Sequence, residues 1–161
     1  MRDRFLIIVS FVASLLFFAL ALYGYLANQF GGNELDARPG FLLGSFLFFT
    51  NALAFLFKKK SLFLIAMIAP VWGGYLSAFI HEIFKHCCQL SGTRLLNIVN
   101  PLSIVYSLAM FILTPVLYLS SLNEDFWLIP ILVIYILLIL LYLYSFAVLI
   151  KRLFSKSEPK L

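Results

Sequence analysis

Five stretches of the chain are apolar and carry no charged residue: 5–27, 41–57, 61–80, 102–120 and 126–150. None alternates apolar with polar positions, as the strands of a membrane β-barrel would. A helix crossing the hydrocarbon core needs roughly 17–25 apolar residues, and every stretch reaches that range. Backbone groups in lipid must pair internally, so each stretch is expected to be helical. The third is interrupted by Pro70-Val71-Trp72-Gly73-Gly74 at its midpoint, and the fourth contains Pro115. Proline removes a backbone donor and crowds the preceding turn.

All the charges fall between the apolar stretches, and their sign sets an expected topology. Lys and Arg accumulate on the cytoplasmic side of membrane proteins. Five full crossings with the N-terminus inside would place five basic residues inside and seven outside, with no useful bias. If the third stretch instead enters and returns, eleven lie inside and only Arg38 outside. The acidic Glu124-Asp125 pair then also lies outside. A third arrangement lets stretch three cross and keeps stretch four from crossing. It gives nine inside, with Arg38, Lys85 and Arg94 outside. The eleven-to-one split selects an all-α integral membrane protein with four transmembrane helices and a re-entrant or interfacial third segment. Five transmembrane helices are the alternative. The proline and glycines at 70–74 would form the hairpin tip. Both termini are expected to be cytoplasmic, in a bacterial inner membrane.

Composition agrees. Of 161 residues, 63% are hydrophobic and 12% charged, about half the charged share of a soluble domain. That excludes a soluble enzyme or a free DNA-binding domain. One domain over 1–161 is expected, with 156–161 as a disordered tail. The net charge of +5 marks cytoplasmic loops rather than a nucleic-acid partner. The N-terminal Met-Arg-Asp-Arg and its apolar run resemble a signal sequence. Because apolar residues continue past Ala19-Leu20-Ala21, an uncleaved anchor is expected.

Candidate chemistry is concentrated in His81-Glu82-Ile83-Phe84-Lys85-His86-Cys87-Cys88. His81, Glu82 and His86 are candidate acid–base groups. His81, His86, Cys87 and Cys88 are candidate ligands for zinc or copper. The spacing fits known metal sites poorly. The two histidines are five apart, which leaves them about 140° apart around a helix. An interfacial stretch with a Glu82–His86 ion pair is the simpler expectation, and no cofactor is expected.

Within the apolar stretches the polar candidates are Asn51 and Thr50, with Ser45 on the same helix and Ser10 and Ser14 in the first stretch. Small and polar stripes let membrane helices approach and bond to one another. They are expected to pack helices one and two together, or to meet another membrane protein or a second copy. Trp72 at the proposed hairpin tip needs a partner for its indole N–H. No intramembrane charge of the kind used by carriers or proton relays is present, and no nucleotide or nucleophile motif appears. The expected function is therefore non-enzymatic: an accessory, partner-binding or immunity-type protein in the bilayer. An oligomeric channel or small-solute transporter, and an enzyme using residues 81–88, are the alternatives.

Overall fold

The computed structural model describes residues 2–27, 36–86, 100–119 and 128–154. Among them the structure is all helical: α1 (Arg2–Leu26), α2 (Arg38–Phe57), α3 (Lys60–Met67), α4 (Ala69–His86), α5 (Pro101–Leu119) and α6 (Leu128–Phe154). Helices α1, α2 and α6 are each long and apolar enough to cross a membrane, and α3 with α4 makes a fourth candidate if the bent pair counts as one span.

The organising element is α2, with 15 of its 20 residues buried. Pro39 opens it, in the first turn where a missing N–H costs nothing. Lys58 closes it in the left-handed conformation (φ 54°), its N–H donating to the Ala54 carbonyl at 3.0 Å. A side chain is uncommon at that φ, but it lets the chain reverse into α3 within two residues.

Helix α1 runs antiparallel to α2. Ser14 meets Ser45, and Tyr25 meets Arg38. Helix α6 runs parallel to α2 with a constant offset of 94 positions. Phe41 contacts Tyr135, Phe48 contacts Tyr142, and Asn51 bonds Ser145. Phe17, Phe41, Phe48, Phe111, Tyr135 and Tyr142 fill the middle of the bundle with interlocking rings. A second cluster of Leu6, Ala54, Phe55, Phe63, Ala66 and Leu149 closes the end where α2 finishes.

The hairpin tip expected at 70–74 is helical instead. The chain bends by 59° between α3 and α4, and the break falls at Ile68, before the proline. Pro70 thereby occupies the first turn of α4, where its missing donor is harmless. The Trp72 indole reaches back across the bend and donates to the Ile65 carbonyl at 3.1 Å. Beyond the bend α4 continues away from α3. Phe63 packs in the cluster at the C-terminal end of α2, whereas His81 lies beside Asp36 at its N-terminal end. Residues 60–86 therefore run the length of α2 rather than turning back.

Helix α5 packs against α2 and α4 near the Asp36 end of the bundle. Gly74 faces Ile104, Ser107 bonds Ser77, and Gly40 lies against the backbone of Met110 and Phe111. These contacts extend from the Asp36 end to the mid-level ring of Tyr142.

Candidate functional site

The polar residues at the Asp36 end form one connected site. Asp36 stands just before α2, and its Oδ1 accepts the Arg38 backbone N–H at 3.0 Å. The Arg38 side chain folds back on the same carboxylate. Nε donates to Oδ1 at 2.9 Å, and a terminal nitrogen donates to Oδ2 at 2.5 Å. The Arg38 guanidinium lies 5.0 Å from the Tyr25 ring centre. From α4, His81 Nε2 sits 3.7 Å from Asp36 Oδ2, and Nδ1 is 3.0 Å from the Tyr25 hydroxyl. From α5, the Tyr106 hydroxyl accepts the Asp36 backbone N–H at 3.1 Å. Phe84 stacks on Tyr25 at 4.8 Å. Residues of four helices thus meet around Asp36.

Asp36, Arg38 and His81 are all buried, so their charges must balance locally. Burial by itself would push the Asp36 carboxyl up. The hydrogen bonds and charge of Arg38, helped by His81, outweigh it and hold the group below the ordinary carboxylate range. Either partner can donate in the Tyr25–His81 bond, according to the imidazole tautomer. Both ring nitrogens face protein groups, and the Asp36 oxygens are engaged by Arg38. The arrangement ties these helices together.

A second polar group lies in the middle of the bundle. Asn51 Nδ2 donates to Ser145 Oγ at 2.8 Å, and Ser145 Oγ donates to the Tyr142 carbonyl at 2.8 Å. The serine proton is spent, so Asn51 must be the donor, which fixes its amide orientation. Asn51 Oδ1 and the Tyr142 hydroxyl are buried with no protein partner among the described residues.

The other expected residues find local roles. Ser14 donates to the Ser45 carbonyl at 3.0 Å, which stitches α1 to α2. Thr50 bonds the Phe46 and Leu47 carbonyls of its own helix. Ser10 is buried in α1. Glu82 is half-buried beside His81. The His86 side chain and Cys87 and Cys88 lie outside the described residues, as does the Glu82–His86 pair. Among the described residues no group of three or more His, Cys, Asp or Glu side chains could hold a metal ion.

Sequence reasoning missed Asp36, Arg38, Tyr25 and Tyr106 as a site. The available signal was Asp-Ala-Arg-Pro immediately before an apolar run, a carboxylate placed to receive the first N–H groups of a helix. No protein-family model matches the chain, and no curated protein or solved structure is detectably similar to it.

Proposed function

We propose that the chain is a polytopic membrane protein with four crossings: α1, α2, the bent α3–α4 pair, and α6. Helix α5 stays in the outer half, held by Tyr106, Ser107 and Met110 against the Asp36 end. The start of α1 and the end of α6 meet where Arg152 bonds Asp3, so both belong on one side. The nine-to-three distribution of basic residues favours that side as the cytoplasm. This reading takes 60–86 as one bent crossing rather than a re-entrant segment, supported by Phe63 and His81 lying at opposite ends of α2.

Within that frame the protein acts as a non-enzymatic accessory that binds another membrane protein. One observation carries this reading: most buried polar side chains among the described residues bond to one another, with Asn51 Oδ1 and the Tyr142 hydroxyl as exceptions. Stacked rings occupy the centre. Asn51 and Thr50, the residues that would line a solute path, bond inside the bundle. His81, the residue that would catalyse, is pinned between Tyr25 and Asp36. With neither a lined path nor an open reactive group among the described residues, the surface is what the protein is left to act with. Affinity purification after mild detergent extraction tests the reading. A stoichiometric membrane-protein partner is expected. Recovery as a lone monomer, together with ion or solute flux in liposomes that Asn51→Ala abolishes, would replace it with the transport reading.

A further inference from the structure

Three basic runs far apart in sequence converge at the end of the bundle opposite Asp36. Asp3, in the first turn of α1, lies 2.5 Å from Arg152 of α6 and 3.5 Å from Lys58 at the end of α2. Arg4 follows Asp3, Lys59 and Lys60 follow Lys58, and Lys151 precedes Arg152. Arg4, Lys58, Lys59, Lys60 and Lys151 are all exposed. With Asp3 as the sole acid of these runs, the net charge there is strongly positive. Immediately beside this collar the surface turns apolar: Phe5, Phe57 and Leu64 are each more than half exposed.

We infer that this end binds anionic phospholipid, with the phosphate headgroup against Lys58, Lys59, Lys60 and Arg4 and the acyl chains against Phe5, Phe57 and Leu64. The charge selects an anion, and the adjoining apolar wall selects an amphiphilic one over free phosphate. Juxtamembrane lysines and arginines each contribute about 1 kcal/mol to anionic-lipid attraction, a factor of about five. Screening by salt weakens it. The inference rests on the membrane-spanning reading above and adds a lipid preference to it.

The test uses the full chain purified in detergent and titrated with phosphatidylglycerol, phosphatidylcholine or inorganic phosphate, with bound lipid read by native mass spectrometry. Phosphatidylglycerol should bind at least about tenfold more tightly than phosphatidylcholine, and inorganic phosphate should compete poorly. Lys58→Gln/Lys59→Gln/Lys60→Gln should lower phosphatidylglycerol affinity by roughly a hundredfold, at about fivefold per charge. Arg4→Gln/Lys59→Gln leaves the Asp3 ion pairs intact and serves if the triple variant misfolds. It should lose roughly twenty-fivefold by the same factor. Equal retention of the two lipids, wild-type binding by a folded variant, or full competition by phosphate would overturn the inference. A chain that stays soluble without detergent would instead overturn the membrane reading beneath it.

Discussion

Tyr25 and His81 lie 56 positions apart in the chain, and the Tyr25 hydroxyl sits 3.0 Å from His81 Nδ1. That bond joins α1 to α4 directly and leaves the imidazole's other nitrogen facing Asp36. Tyr25→Phe keeps the stack on Phe84 and removes only the hydroxyl. The bond to the imidazole is then lost, at a cost of about 1–3 kcal/mol. The thermal midpoint in detergent should fall accordingly. An unchanged midpoint would mean that the bond contributes nothing to docking α4.

Asp36 should be costlier to lose than any other single side chain in the cluster. Asp36→Asn strands the Arg38 charge in a buried setting, a change of about 3–5 kcal/mol. Asp36→Asn/Arg38→Leu removes both charges and should recover much of that loss. The two variants compared in one melting experiment separate charge balance from packing.

The same carboxylate sets an acid limit. Its folded-state value is lowered from the ordinary 3.8, so its contribution is complete above 3.8. That contribution drains away as pH falls through the lower folded value. Wild type should therefore lose stability below 3.8 more steeply than Asp36→Asn, which lacks the titrating group. Parallel acid profiles for the two proteins would assign the acid sensitivity elsewhere.

The helices were legible because apolar run length is a local property. The runs 5–27 and 41–57 correspond to α1 and α2 within a few residues at each end. The course of 60–86 was not legible. Pro70 breaks a helix only where an N–H is needed, and its place in a first turn depends on Ile68 taking the bend. The Asp36 site was hidden because its partners come from four helices, and no local pattern records that convergence.

Close approach of α5 to α2 depends on Gly40. A Cβ there would lie 2.7 Å from the Met110 carbonyl carbon and the Phe111 nitrogen, both backbone atoms that cannot turn aside. Gly40→Ala should cost about 1–3 kcal/mol by forcing the helices apart. At Gly73 a Cβ would meet the Leu43 Cδ1 at 3.2 Å, the end of a side chain that can move. Gly73→Ala gains helix propensity worth up to about 1 kcal/mol and should be neutral or stabilising. Melting the two proteins side by side checks the contrast.

Asn51 and Ser145 should be coupled. A double-mutant cycle of Asn51→Ala and Ser145→Ala isolates their bond, and interhelical bonds in lipid are worth about 0.6–2 kcal/mol. The coupling should fall in that range. Additive effects would show that α2 and α6 are held in register by their rings alone.

The course of 60–86 can be checked from either side of the membrane. Asn100 stands exposed just before α5, and Lys59 stands exposed at the end of the bundle away from Asp36. In a chain with Cys87 and Cys88 replaced by serine, Asn100→Cys should react with an impermeant thiol reagent on intact cells. Lys59→Cys should react only after permeabilisation. A hairpin at 70–74 would make both positions cytoplasmic and both silent in intact cells. The two arrangements differ by the side of one residue. With both termini cytoplasmic, as proposed, the helical path from Phe63 beside Phe55 to His81 beside Asp36 predicts that Asn100 is outside.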